Sequence, residues 1–217
     1  MHLTIRSGGP HQGQPVVAAG APLGQGGTVG VLVHGRGATA EGMIELGAAI
    51  ASEGVTWLAP QASGYTWYPQ RFLAPLAANE PWLSSALDAV GDVVAQAEAS
   101  GAVRSRIVLI GFSQGACLAL EWLIRSASRV GGVAALSGGL IGPPGTVWPD
   151  NGPLDGVAAF LGCSDMDDHI PKERVLESEA VLRSRGADVT TVLYPGMEHT
   201  VSPDEVKRVR SMIAGLR

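Results

Sequence analysis

Ser113 stands between two glycines, in Gly111-Phe112-Ser113-Gln114-Gly115, directly after the apolar run Ile107-Val108-Leu109-Ile110. A hydroxyl placed there is a candidate nucleophile. Serine is a poor one at neutral pH unless a base lies within hydrogen-bond reach and a third group orients that base. The chain has five histidines. His2 and His11 fall in an N-terminal segment read as loose, His34 precedes Ser113, and His169 and His199 follow it. His199 lies downstream of every candidate acid, which makes it the expected base. The orienting acid is expected in the loop after an apolar strand at residues 157–161, where Asp165, Asp167 and Asp168 compete. Such a set performs covalent acyl transfer, with the histidine carrying the proton.

The elements that must position these groups follow from local pattern. Residues 107–110 read as a buried strand and residues 116–124 as a helix that starts almost at once, so Ser113 occupies a sharp corner with a strained backbone. A Cβ two residues before or after it would crowd that corner, which accounts for Gly111 and Gly115. In a chain with 30 glycines, chance supplies about 0.3 such pentapeptides, so the pattern gains its weight from its place between a strand and a helix. An oxyanion formed at Ser113 needs fixed donors: the main-chain N–H of Gln114 is one, and the loop after an early strand offers Arg36 or its neighbour Gly37 as the other. The charge of Arg36 is read as a surface cation, because the hole uses the main chain.

Along the chain, short strands are expected at residues 3–6 and 15–19, joined by Gly-rich turns in an antiparallel opening. Strands at 28–33, 55–59, 107–110, 133–136, 157–161 and 189–193 then alternate with helices at 39–52, 82–99, 116–124, 172–185 and 203–216. On the first helix, Ile44 and Ala48 share the expected inner face, with Gly47, Ile50 and Ala51 beside them. Alternation of this kind implies an α/β fold, a mostly parallel sheet covered by helices on both faces, with ligands at the carboxyl ends of its strands. Two long connections, 61–81 and 137–155, are left to wall the site. The first carries Trp67, Tyr68 and Phe72, for which two places are open: the wall of a short apolar acyl groove, or local core packed under the loop.

His34-Gly35-Arg36-Gly37, Trp67-Tyr68-Pro69, the Ser113 pentapeptide, His169-Ile170-Pro171 and Gly196-Met197-Glu198-His199 together resemble the bacterial phospholipase/carboxylesterase family of α/β-hydrolases, which is close to the acyl-protein thioesterases. The resemblance runs from about Thr28 to the C-terminus. It implies an α/β-hydrolase fold without a cap domain, with Ser113 as nucleophile, His199 as base and an Asp from the 165–168 loop. Relatives often carry Asp-Pro four and three residues before the loop's proline, where this chain has Asp167-Asp168 before Pro171. Asp167 is therefore preferred as the acid, and Asp165, three residues after Gly162, is the alternative. Thioesterase-like members usually have an apolar residue in place of Arg36, which weakens transfer of their specificity.

A 46% hydrophobic chain of 217 residues without a Pro/Ser linker or charge run reads as one domain over residues 1–217. A net charge of −5 with no basic cluster argues against nucleic acid and anionic membrane. The N-terminus lacks a signal-like apolar core and no apolar run reaches membrane-spanning length, so membrane insertion is not expected and a cytoplasmic location is. Cys117 and Cys163 read as buried small hydrophobes, and neither metal nor cofactor is expected. The apolar 140–148 segment can cover a second copy as readily as the site, which leaves a homodimer open. Gly35-Arg36-Gly37-Ala38-Thr39-Ala40 also matches a dinucleotide-loop pattern, but the next strand ends Ala59-Pro60-Gln61, without the acid that would hold a ribose. The expected activity is hydrolysis of small-molecule esters with short to medium acyl chains through an acyl-enzyme. A thioesterase, a lysophospholipase and a non-catalytic small-ligand binding protein on the same fold are the alternatives.

Overall fold

A computed structural model describes residues 3–25, 27–50, 53–126 and 129–216. Eight strands, β1 (Leu3–Thr4), β2 (Pro15–Gly20), β3 (Thr28–Val33), β4 (Val55–Pro60), β5 (Ile107–Phe112), β6 (Gly132–Leu136), β7 (Ala158–Ser164) and β8 (Asp188–Tyr194), form one sheet in the order β1-β2-β4-β3-β5-β6-β7-β8. Pairing is antiparallel for β1 with β2 and for β2 with β4, and parallel from β4 to β8. This is the mostly parallel sheet with an antiparallel opening that alternation called for.

The helices are α1 (Ala40–Ile50), α2 (Trp82–Ala99), α3 (Gln114–Arg125), α4 (Lys172–Ser184) and α5 (Pro203–Gly215). α1 and α5 pack on one face of the sheet, and α2, α3 and α4 on the other. The period of two along each strand divides the core between them. On β5, Val108 and Ile110 join Leu32, Met43, Ile50 and Ile213 on the first face, while Ile107 and Leu109 join Val31, Val33, Leu118 and Leu120 on the second. Each such aliphatic side chain, fully buried, contributes about 1.5–3 kcal/mol.

Boundaries moved where a side chain does something the pattern does not encode. Thr39 caps α1, its Oγ1 accepting the Gly42 N–H at 3.1 Å, and is not part of its first turn. The face of α1 is shifted as well: Ala40, Met43, Gly47 and Ile50 are buried, Ala48 is exposed, and Ile44 is half-buried. A Cβ on Gly47 would meet Leu32 at 2.9 Å and Trp57 at 3.0 Å, so the helix seats its glycine against the sheet and this contact sets its rotation. Ala51 and Ser52, given to the same helix, lie outside the described residues, as does His2. Strand β7 runs to Ser164, three residues past its expected end, which carries Cys163 into the sheet.

After β3 the chain lays β4 on one side and later returns to place β5 on the other. A crevice opens at the carboxyl edge of a parallel sheet where strand order reverses in this way. The loop after β3 and the corner after β5 are therefore neighbours, and the loops after β7 and β8 lie along the same edge. Among the described residues, no helix is long and apolar enough to cross a membrane, and no group of three His, Cys, Asp or Glu is placed to hold a metal ion.

Candidate active site

Ser113 sits at φ 53° and ψ −117°, a conformation that side chains rarely adopt, between the end of β5 and the first residue of α3. The two flanking glycines permit the corner by close approach. A Cβ at Gly111 would stand 2.3 Å from the Gly115 carbonyl oxygen, and one at Gly115 would stand 2.0 Å from that of Val33. The corner is thus wedged against the end of β3, with the hydroxyl held clear of both elements.

His199 follows β8. Its Nε2 lies 2.9 Å from Ser113 Oγ and its Nδ1 2.7 Å from Asp167 Oδ2. A single ring proton on Nδ1, donated to the carboxylate, leaves Nε2 free to accept the serine proton. The Asp167 carboxylate is fully buried, while the His199 ring keeps 21% of its surface exposed. Burial alone would raise the Asp167 pKa, but the bond from His199 and the N–H groups of His169 (2.8 Å) and Ile170 (2.9 Å) outweigh it and hold the carboxyl below its ordinary value. Asp165, the alternative acid, accepts the Gly196 N–H at 2.8 Å and braces the turn that leads to His199. Asp168 is exposed. His169 stacks edge-on against His199, with ring centroids 4.7 Å apart. Beyond His199, Ser202 and Glu205 form a capping box that starts α5, a signal visible in the local sequence Ser202-Pro203-Asp204-Glu205.

A cavity of about 430 Å³ opens over Ser113 and His199, lined by Arg36, Tyr68, Phe72, Cys117 and Ile170 among others. That is within the usual range for a small-molecule site. Gly35 passes beside the corner, where a Cβ on it would come within 3.3 Å of Ser113 Cβ. Of the two donors considered in this loop, the Gly37 N–H is already given to the Tyr65 carbonyl at 2.8 Å. The Arg36 N–H and the Gln114 N–H, the latter in the first turn of α3 where helical N–H groups have no partner within the helix, are the candidate donors beside Ser113.

The family model described as Phospholipase/Carboxylesterase matches residues 21–216. The chain belongs to the phospholipase/carboxylesterase family of α/β-hydrolases. The crystal structure of a phospholipase/carboxylesterase from Dyadobacter fermentans is 39% identical and superposes with a TM-score of 0.87, over 93% of this chain and 96% of that one. Acyl-protein thioesterase 1 of Gibberella zeae is 35% identical over 119 residues, 52% of this chain and 49% of that protein. Its Saccharomyces cerevisiae counterpart is 29% identical over 132 residues, 59% of this chain and 58% of that one. The match thus spans about half the length of these curated relatives.

Within this family member the aromatics of the first long connection divide between cavity wall and local core. Tyr68 and Phe72 reach the cavity, but Trp67 does not line it. Trp67 is fully buried beneath the loop, its Nε1–H donating to the His34 carbonyl at 2.8 Å, because an indole needs a partner for its N–H and apolar cover for its rings. The 137–155 connection does not line the cavity either. Glu121 and Ser178 accept its Ile141 and Leu140 N–H groups, Arg174 donates to its Leu140 and Gly142 carbonyls, and Leu140, Ile141 and Trp148 are buried within the chain. Those three side chains are used internally and do not reach the cavity, whereas Val147 in the same segment is exposed. Both cysteines are free and buried, and burial pushes each thiol up to about 12, so both are inert small hydrophobes.

Arg36 is no ordinary surface cation. Its guanidinium donates to the carbonyls of Tyr68 (2.9 Å), Pro69 (3.0 Å) and Gln70 (2.8 Å). His11, read as part of a loose segment, is fully buried, with Nε2 2.9 Å from the Trp67 carbonyl and Nδ1 accepting the Ser63 N–H at 3.2 Å. His34 is buried likewise: its Nε2 accepts the Ala62 N–H at 3.0 Å, and Nδ1 lies 2.7 Å from the Gly35 carbonyl. Burial lowers both pKa values from the ordinary 6.5. Since the unfolded chain then binds protons first, their contribution is whole above pH 6.5 and is lost as pH falls below it, by at most about 1.4 kcal/mol per group per pH unit. Glu121 and Glu205, raised by burial, act in the opposite sense as pH falls. Urea midpoints of wild type and His11→Gln between pH 7.5 and 5.5 isolate the His11 part. Wild type is expected to lose stability more steeply, and parallel curves would refute the assignment.

Proposed function

We propose that the protein is a serine carboxylesterase hydrolysing soluble esters of short to medium acyl chains, as one catalytic domain. The observation that carries this reading is the Asp167–His199–Ser113 relay at 2.7 and 2.9 Å beside a cavity of acyl-group size. As Ser113 Oγ bonds to the ester carbonyl carbon, His199 Nε2 takes its proton and Asp167 stabilises the imidazolium. The carbonyl oxygen becomes an oxyanion that the Gln114 and Arg36 N–H groups receive, aided by the positive end of α3. Collapse breaks the bond to the leaving oxygen, which takes the proton from His199. Water then repeats the sequence on the acyl-enzyme and frees the acid. The same steps cleave a thioester, and the likeness to two acyl-protein thioesterases supports that second reading.

Tyr68, Phe72 and Cys117 give the cavity an apolar wall, so each acyl methylene that fits adds at most about 0.8 kcal/mol, or about four-fold in kcat/KM. Across p-nitrophenyl esters from acetate to palmitate, kcat/KM is expected to rise over the first members and then level or fall once the groove is full. A steady climb to palmitate with a jump at the substrate's aggregation concentration would overturn this in favour of a lipase or lysophospholipase. A matched thioester hydrolysed much faster than its oxygen ester would favour the thioesterase.

A further inference from the structure

Arg36 and Gln114, whose main-chain N–H groups face the oxyanion in the proposed mechanism, also grip one and the same segment with their side chains. Arg36 donates to the carbonyls of Tyr68, Pro69 and Gln70 at 2.8–3.0 Å. Gln114 donates from Nε2 to the Tyr68 carbonyl at 2.8 Å, and its Oε1 accepts the Trp67 N–H at 2.9 Å and the Thr66 hydroxyl at 3.3 Å. The Tyr68 carbonyl is the common node, accepting from Arg36, from Gln114 and from Thr66 Oγ1 (3.0 Å). The segment is anchored in turn: the Gln70 N–H donates to Asn79 Oδ1 at 2.7 Å, and Trp67 is pinned to the His34 carbonyl, two residues before Arg36.

We infer that residues 66–70 form a splint that sets the spacing of the two oxyanion donors, with the side chains of Arg36 and Gln114 as its positioning residues. The inference rests on the serine-esterase reading. The loop after β3 and the corner after β5 belong to different elements, and the donor at Arg36 sits on an exposed loop residue. Without a cross-tie that loop can breathe relative to α3, and a donor must lie within a few tenths of an ångström of its place to stabilise the developing charge. A guanidinium makes the tie well, because its planar fork reaches three carbonyls at once, whereas an ammonium on a flexible stem is a point donor. The Gln114 amide ties the other donor to the same carbonyl. The segment also lines the cavity through Tyr68, Pro69 and Gln70, so substrate and donors share one reference frame.

The test is Arg36→Ala, which keeps the main-chain donor and removes the tie. Four quantities are measured: kcat and KM on p-nitrophenyl butyrate, Ki for an alkyl trifluoromethyl ketone whose hydrate-free form adds Ser113 to give an oxyanion, and fluorophosphonate labelling. Removing an oxyanion donor outright costs about 10²–10³ in kcat, so loosening one is expected to cost about ten- to a hundred-fold. KM should stay within about two-fold, the ketone Ki should rise by the same factor as kcat falls, and Ser113 should still label to one equivalent. Guanidinium chloride at millimolar concentration should restore part of kcat, with sodium chloride as control. Arg36→Lys, which keeps the charge, should fall between the two and serves if the alanine variant does not fold. Gln114→Ala should show the same signature, and the double variant should lose less than the product of the two, since both act through one segment. Wild-type kcat and ketone affinity in Arg36→Ala overturn the splint, as does a loss confined to KM or one the ketone does not share. Absence of labelling in the wild type would instead overturn the serine-esterase reading itself.

Discussion

Ser113→Ala is expected to lower ester turnover by on the order of 10⁴-fold or more while leaving the fold in place, the residue of activity coming from the oxyanion donors and substrate binding. The wild-type chain should take up one equivalent of a fluorophosphonate on Ser113 and the variant none. The reason lies in convergence. Sixteen serines are present, and among the described residues Ser113 is the one held at a strained corner with an imidazole nitrogen 2.9 Å from its oxygen and the Arg36 loop alongside. The substitution removes one half-buried oxygen, whose partner His199 is itself partly exposed, and it leaves no fully buried polar group unpaired, so the urea midpoint should barely move. Intact mass and peptide mapping read the label. A second labelled serine in the wild type, or equal uptake by the variant, would refute the assignment of Ser113 as nucleophile.

Asp167→Asn should cost about 10⁴-fold in kcat, while Asp165→Asn should cost far less. Asparagine at 167 can still accept the His169 and Ile170 N–H groups through its carbonyl oxygen, so the loop keeps its shape. Its amide then faces His199 Nδ1, which must turn acceptor, and the proton moves to Nε2, where it blocks uptake of the serine proton. At 165 the side chain accepts the Gly196 N–H, and an amide oxygen accepts that bond nearly as well as a carboxylate does. The pair of kcat values decides between them. A larger loss at 165 than at 167 would mean that the loop rearranges during catalysis and that the wrong carboxylate has been assigned.

Much of this molecule is legible in its residues because much of it is local. β-Branched apolar runs bounded by glycine and proline mark the strands. The steric needs of one sharp corner account for Gly111 and Gly115, and the order of serine, acid and histidine along the chain narrows the site to a few loops. Tertiary structure decided what depends on distant neighbours. The spacing to Pro171 favours Asp167 over Asp165 only through a resemblance to relatives, and it is the approach of the loop after β8 that brings Asp167 to His199 and Asp165 to Gly196. Arg36 and Gly37 are equally placed as donors until Tyr65, from another connection, takes one N–H. Trp67 and His11 have no helical or strand period to reveal their burial, since both lie in loops and their partners are main-chain groups remote in sequence. The inner face of α1 turned by one position because a glycine let the helix settle against Leu32 and Trp57, a contact that periodicity counts as nothing. Local sterics and alternation are properties of neighbours in the chain, whereas which carbonyl meets which N–H across the sheet edge is set only when the strands are in register.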